Sequence, residues 1–578
     1  MLKNLLKDQK QLYLLSKEIL GIKSIILLLA VILINIFLET ISIGLIIPLT
    51  GALLDPEFMQ KLFSFSLFNF EMKNIFYKLN LEDRTDLIFV IFTIFLIAII
   101  LRVFFNLFTL WYAEKIKFKL SYLLSTKLFS SYIFSDYKNH LNKNSAFFFR
   151  NVSAETILFS NSFYLYLTIY NDLLLILAIF TVLLATNFFF SFISIFYFLI
   201  CSLIIFLSLK NYILSLGYKR QQLSLDNSQY LRESFDLIKE IKIFKKEADF
   251  SSNFKKINKA YLNILKKRAL VQGLPRNLLE LFAVFFLFFV ILVSFNTGQP
   301  TINIISYLSL FVFSSYRILA SLNKGISSFQ SILFSRPAVN LIFQEIKNIE
   351  NNSNNRKDKK IENLSFKNKL NFTNITFGYK EKNIFDNFNF EIKKNSFNSI
   401  IGKSGSGKST LVNIILGLIM PQAGNIEIDK KKISMNDYKY INKNFGYVAQ
   451  NFVLQDKNIK ENIAFGVKDE NINLDKIRNI ISMVELEEFV KNLPQGLDTI
   501  IGERGKNISG GQMQRIAIAR SLYHEPDLLI LDESTNSLDS ETEEKILKMI
   551  KKNLKEQTII FISHKDNAKY FSDNLIKI

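Results

Sequence analysis

A single cysteine, Cys201, stands in this chain of 578 residues, which excludes an intrachain disulfide and leaves the redox compartment open. From Asn351 to Lys360 there is no apolar residue, so this stretch cannot enter a core and reads as a linker. The first residues lack a small-residue cleavage site. The first apolar run therefore reads as an anchor rather than a removed signal. The formal net charge is +20, yet no groove-reading motif accompanies it, and a nucleic-acid partner is not expected. Basic loops and a Lys/Asn/Ile-rich composition account for the charge.

What is abundant is apolar. Phenylalanine occurs 57 times, and the mean hydropathy is +0.20. The apolar residues concentrate before about residue 345, and a chain this long exceeds one domain. Runs long enough to cross a bilayer lie at 24–49, 87–110, 163–186, 188–209, 277–296 and 302–321. The tight turns at Asn187 and at Asn296-Thr297-Gly298-Gln299-Pro300 contain neither Lys nor Arg. Lys210 to Arg276 carries fifteen basic residues, and the loop 51–86 carries four against six acids. Basic residues favour the cytoplasmic side, so both termini are expected there, in a cell inner (plasma) membrane.

After the linker the chemistry changes. Gly402-Lys403-Ser404-Gly405-Ser406-Gly407-Lys408-Ser409-Thr410 follows the apolar pair Ile400-Ile401 and opens an amphipathic pattern through Leu411, Ile414, Ile415 and Leu418. Glycines let the backbone N–H groups converge on one point, a helix N-terminus adds positive potential, and Lys408 reaches outer phosphates. Ser409 supplies a hydroxyl for Mg²⁺. Downstream, the apolar run before Asp532-Glu533 reads as a buried strand delivering Asp532 to the metal. Glu533 is then placed to polarise an attacking water. Ile508-Ser509-Gly510-Gly511-Gln512 is a second Gly-rich turn at a helix start, the helix being expected from Met513 to Tyr523.

Ser509-Gly510-Gly511-Gln512 between a P-loop and an Asp-Glu strand resembles the signature of ATP-binding cassette (ABC) ATPases. The resemblance implies ATP and Mg²⁺ as cofactors, with Tyr379 stacking on adenine and Gln450 sensing the metal and water. It implies roles for Asp539 in the loop after the Asp-Glu strand and for His564 at the γ-phosphate. Gly502-Glu503-Arg504-Gly505 resembles the short loop that exporters place before the signature. Ile508 stands where Leu is usual and Lys565 where Arg is usual, and the chain stops at Ile578 without the terminal hairpin of many relatives. The family's cassettes close in pairs on ATP, so a second copy, or a related half-transporter, is the implied partner.

The expected fold class is an α-helical exporter-type membrane domain over 1–345, a linker over 346–368 and an α/β P-loop cassette over 369–578. Stretches 111–160 and 210–275 read as cytoplasmic extensions of the membrane helices. Each is expected to turn in a short helix, Tyr137 to Phe147 and Ser234 to Lys245, that docks on Asn451-Phe452-Val453-Leu454.

Ionisable residues within the spans are Glu39, Arg102, Glu280 and Arg317, with Arg276 at an edge. They read either as packing pairs or as a belt of Arg102, Arg276 and Arg317 that holds a lipid-linked diphosphate. Phe58, Leu62, Phe65, Met72, Phe76 and Leu79 fall on one stripe of a helix, lying on the outer leaflet or capping helix ends. Glu39-Thr40 through Pro48, Pro275-Arg276 with Glu280, and Tyr316-Arg317 resemble flippases of lipid-linked oligosaccharides and lipid A-type exporters. That resemblance implies ATP-driven flipping of a polyprenyl-diphosphate oligosaccharide or other glycolipid amid membrane lipids. Export of peptides or hydrophobic small molecules is the alternative.

Overall fold

The structure is a computed structural model that describes the chain except residues 1, 47, 50–65, 68–69, 72–83, 187, 297–300, 355–365, 380–381, 404, 439–440, 503–507, 534–538 and 564–571. Side chains at some further positions, among them 2–9 and 301–317, also lie outside the description. The chain divides into two compact units: Met1–Ser135 with Asn142–Asn355, and Asp136–Leu141 with Arg356–Ile578.

The first unit is built on helices α1 (Leu2–Leu20), α2 (Ile22–Gly44), α3 (Arg84–Ile133), α5 (Ser145–Arg150), α6 (Thr156–Thr186), α7 (Phe188–Asp236), α8 (Ile238–Ile243), α9 (Glu247–Asn296) and α10 (Thr301–Asn354). The short α4 (Tyr137–Asn142) lies almost wholly in the second unit. At 1.5 Å per residue, the 50 residues of α3 extend about 75 Å, far beyond an apolar slab of about 30 Å. Among the described residues, five helical stretches are long and apolar enough to cross a membrane: Ile22–Gly44, Ile88–Ile133, Ser145–Val182, Ser191–Asp236 and Glu247–Val293. The sixth run, 302–321, falls in α10, mostly where side chains are not described. Large apolar side chains such as Phe89, Phe104 and Leu107 are exposed along α3, a surface suited to lipid.

Inside, Leu120, Leu124 and Leu128 of α3 are fully buried with Leu28 of α2 and Phe159 of α6. A π-turn, Asn151–Glu155, links α5 to α6. It carries Glu155, which accepts from Arg220 Nη1 and Nη2 at 2.8 and 3.1 Å.

Several expectations change; one is Ser234 to Lys245, which is divided between the end of α7, running to Asp236, and α8, Ile238–Ile243. Tyr137 to Phe147 is not one helix but α4 and α5, because Asn144 caps α5 by accepting from Ala146 N. No single helix runs through 58–79, since Ser66–Leu67 (β1) pairs antiparallel with Phe70–Glu71 (β2). Only these four residues are described as strand; the stripe residues themselves lie outside the description. Finally, α10 continues past residue 346 to Asn354, into the segment read as linker.

The second unit holds two sheets. Strands β3 (Lys369–Tyr379), β4 (Lys382–Lys393), β6 (Ala423–Ile428) and β7 (Lys431–Ile433) form an antiparallel sheet in the order β4-β3-β6-β7. A parallel sheet runs β11-β5-β10-β9-β8, using β5 (Phe397–Ile401), β8 (Phe445–Val448), β9 (Leu528–Asp532), β10 (Thr558–Ile562) and β11 (Asn574–Lys577). Every residue of β9 and β10 is buried, as expected of strands covered on both faces. Helices α11 (Lys408–Ile415), α12 (Ile459–Ile463), α13 (Leu474–Met483), α14 (Gly510–Tyr523) and α15 (Ser540–Asn553) join them. Leu418 falls beyond α11, because Gly417 turns left-handed at φ +65° and ends that helix.

Candidate functional site

Parallel pairing brings four strand ends to one edge. Ile562 lies opposite Asp532, Val448 opposite Leu531, and Ile400 opposite Ile562. The loops after β5, β8, β9 and β10 therefore leave at the carboxyl edge of the sheet, where α/β folds bind ligands.

The loop after β5 is shaped by its glycines. Gly407 caps α11 at φ +104°, and a Cβ there would sit 2.5 Å from Ile384 Cγ2. A Cβ at Gly402 would lie 2.6 Å from Ser406 Oγ, whereas Gly405, at φ +78°, faces open space. Lys408 is buried, and its ammonium donates to the carbonyls of Gly402 and Lys403 at 3.0 and 3.1 Å. Ser409 is exposed and Thr410 buried in the first turn of α11. Ser406 Oγ is buried without a hydrogen-bond partner among the described residues. An orphaned hydroxyl, converging backbone and a helix N-terminus fit phosphate oxygens.

Two carboxylates stand at the end of β9, at the same sheet edge. Asp532 ends β9, and Glu533 follows at φ +48°, a left-handed backbone uncommon for a residue with a Cβ. Glu533 N donates to Ile562 O at 3.1 Å, holding that turn against β10. Burial pushes the Asp532 pKa up, and Glu533 adds to this; the Tyr447 hydroxyl and Lys408 oppose it. Tyr447 OH donates to Asp532 Oδ2 at 3.1 Å, and Gln450 Nε2 donates to Glu533 Oε2 at 2.6 Å. Among the described residues no cluster of three His, Cys, Asp or Glu side chains forms a metal cage. Ser409 and Asp532, with the Gln450 amide oxygen, are an all-oxygen set. That set suits Mg²⁺, which takes its remaining ligands from phosphate and water.

Ser509 stands at the start of α14 and makes a reciprocal cap with Gln512: Gln512 N donates to Ser509 Oγ at 3.2 Å, and Ser509 N to Gln512 Oε1 at 2.9 Å. Gly510 and Gly511 are the first helical residues. Tyr379 ends β3, half exposed, with its ring edge-on to Phe377 at 5.1 Å. Asp539 caps α15 by accepting from Thr542 N at 2.9 Å, a bond that holds its carboxyl below the usual range. Gly502 is described, while His564 and Glu503 to Gly505 lie outside the described residues.

The family model described as "ABC transporter" matches residues 385–536, which include the P-loop, Gln450, Ser509 and Glu533. A solved structure titled "Structure of a bacterial Atm1-family ABC exporter with ATP bound" superposes with TM-score 0.76 at 19% identity, over 96% of this chain and 93% of that one. The fold is that of an ABC exporter. Among curated relatives, the "Putative export ATP-binding/permease protein" of Rickettsia bellii (strain RML369-C) is 30% identical over 358 residues, 60% of each chain. The "Leukotoxin translocation ATP-binding protein LktB" of Mannheimia glucosida is 37% identical over 207 residues, 36% of this chain and 29% of that one. The chain thus spans less than two thirds of either relative's length.

In this exporter fold, the membrane unit's charged residues pair. Arg102 lies 4.0 Å from Glu39 between α3 and α2, both side chains largely buried. Arg276 donates to Glu280 at 2.9 Å along the exposed face of α9, and the Arg317 side chain lies outside the description. Asp172 and Lys324, 3.5 Å apart between α6 and α10, escaped the sequence reading although Asp172 sits within an apolar run. Tyr447 escaped it too, since nothing in its neighbourhood marks a strand tyrosine as the partner of an aspartate 85 residues away.

Proposed function

We propose that this chain is one half of an ATP-driven exporter whose substrate is lipid-linked, a polyprenyl-diphosphate oligosaccharide or another glycolipid. The observation that carries the ATPase part is the convergence of Lys408, Asp532, Glu533 and Gln450 at one sheet edge. In this reading Gly402, Gly405, Gly407, Lys408 and Thr410 cradle the phosphates and Tyr379 stacks on the base. Ser409, Asp532 and Gln450 hold Mg²⁺, which neutralises charge on the β- and γ-phosphates when bound. Glu533 accepts the proton of the attacking water, with His564 at the γ-phosphate. Ser509, Gly510, Gly511, Gln512 and Asp539 face the nucleotide of a second subunit, either a second copy or a related half-transporter.

The tip of the membrane unit supports the pairing. Leu237, Ile238, Ile243 and Phe244, at and around α8, are exposed apolar residues far from the lipid-facing stretch of α7. Val453, just after Gln450, is also exposed. We assign the tip to Asn451–Leu454 of a second copy, so that nucleotide closure moves the membrane helices. The membrane is taken as the inner membrane, with both termini cytoplasmic, from the basic residues of 210–276.

Arg102, Arg276 and Arg317 are the proposed contacts for a diphosphate. The Glu39–Arg102 and Arg276–Glu280 pairs favour the second reading, in which these arginines fix packing and the cargo is a peptide or hydrophobic molecule. ATP hydrolysis by the purified chain in lipid nanodiscs decides between them. Stimulation by polyprenyl-diphosphate oligosaccharide, lost when the three arginines are changed to Ala while basal hydrolysis persists, supports the flippase. Stimulation by apolar peptides alone selects the second reading.

A further inference from the structure

The C-terminal turn of α14 carries a guanidinium that pairs with no acid among the described residues. Arg520 is half-buried, and burial holds its pKa below the usual arginine value; no carboxylate among the described residues offsets the cost. Basic residues commonly close a helix by facing its own last carbonyls. Arg520 instead reaches away. Its Nε donates to Asn462 O at 2.9 Å, Nη2 to Asn462 Oδ1 at 2.9 Å, and Nη1 to Val453 O at 3.0 Å. The Phe465 ring lies 5.0 Å beneath it.

Asn462 is fully buried in α12, and its amide is used completely. Nδ2 donates to Gln455 O, Lys457 O and Asn458 O at 3.0, 3.3 and 3.1 Å, while Oδ1 also accepts from Gln455 N at 2.9 Å. Arg520 and Asn462 thus clamp the backbone from Val453 to Asn458 onto α14. That backbone begins three residues after Gln450, whose amide touches Glu533. At its other end α14 begins with the Ser509–Gln512 cap. A helix of 14 residues moves as one body about 20 Å long.

We infer that Arg520 and Asn462 are a positioning pair that couples the helix carrying Ser509 to the Val453 surface. This rests on the ATP-driven exporter reading. A displacement of α14 when Ser509 engages a nucleotide is handed to the Val453 carbonyl, and so to the segment that leaves Gln450. The state of one nucleotide site then reaches both the other site and the exposed Val453 side chain. Arginine suits this task because its planar fork holds three oxygens in fixed directions, which a lysine ammonium does not.

The test places a fluorophore on Val453→Cys in the full chain, with Cys201→Ser and the hydrolysis-blocking Glu533→Gln, in lipid nanodiscs. Arg520 uses only the carbonyl of residue 453, so the label leaves the clamp intact. With MgATP, the emission of the Arg520 chain is expected to shift. In Arg520→Lys, ATP affinity measured with a fluorescent analogue stays within about twofold while the shift falls by at least about threefold, because the fork is lost. Asn462→Ser is the second variant, with the same expectation should Arg520→Lys fold poorly. An unchanged shift in both variants overturns the inference, as does a parent chain that binds ATP without any shift. A purely structural role lowers ATP affinity and melting temperature together and leaves the shift intact. Failure of the parent chain to bind ATP removes the nucleotide reading and the coupling with it.

Discussion

The Gln450 amide donates a 2.6 Å hydrogen bond to Glu533 Oε2, so the loop after β8 and the acid after β9 are locked together. Glu533 makes this contact from a backbone at φ +48°. Backbone in that region costs of order 1–3 kcal/mol and persists only where surrounding structure compensates. Here the Ile562 carbonyl and the Gln450 amide supply the compensation.

Glu533→Gln keeps shape and removes the proton acceptor. ATP hydrolysis is expected to fall by about 10²-fold or more, since general-base catalysis contributes on that scale. ATP binding should persist. Steady-state hydrolysis and equilibrium nucleotide binding on the same preparation check both halves, and normal turnover would remove Glu533 from its role.

Tyr447→Phe deletes the hydroxyl that donates to Asp532. Asp532 loses a group that fixes its carboxylate toward the metal, so the Mg²⁺ concentration for half-maximal hydrolysis should rise, by less than the roughly fivefold that a whole bond of about 1 kcal/mol would give. ATP binding without metal should not change. A Mg²⁺ titration of hydrolysis measures the difference.

Glu155 is completely buried against Arg220, joining the π-turn before α6 to α7. Glu155→Gln leaves Arg220 buried without its countercharge and should cost about 3–5 kcal/mol. Arg150 also lies 3.6 Å from Glu155, so only replacing Glu155, Arg220 and Arg150 together with apolar residues of similar volume should recover most of that. Thermal unfolding of the single and triple variants tests it.

Asp429 accepts from the backbone N–H groups of Lys367, Asn368 and Lys369 at 2.6, 2.7 and 2.9 Å. Partial burial pushes its pKa up, and the three donors more than reverse this, leaving it below the usual carboxylate range. A depressed carboxylate stabilises the fold above its unfolded pKa, about 3.9, and the contribution fades as pH falls through the folded value. Asp429→Asn should therefore melt lower than the parent at neutral pH, and the gap should close below about pH 4. A constant gap across that range would contradict the assignment.

Local chemistry was the most readable part of the chain. Gly407, Lys408, Ser509 and Gln512 sit within short stretches whose spacing follows from backbone geometry, and helix α14 begins within a few residues of its expected place. Contacts over long separations were not readable. Nothing local to Arg520 points to Val453, 67 residues earlier, or local to Arg220 to Glu155, 65 earlier. The helical stripe across 58–79 failed for a related reason. A spacing of three and four permits a helix, but strand pairing between Ser66–Leu67 and Phe70–Glu71 is decided by partners.

The sequence by itself determined the apolar runs, the Gly-rich turns and the acid pair Asp532-Glu533. These follow from side-chain chemistry and from periods of one helix or one strand. Tertiary structure alone decided that Tyr447 faces Asp532, that Gln450 faces Glu533, and that Arg102 lies beside Glu39. The physical reason is register. Which residues meet depends on how strands align and helices pack across the whole fold, and a burial or hydrogen bond is worth its energy only once both partners have arrived.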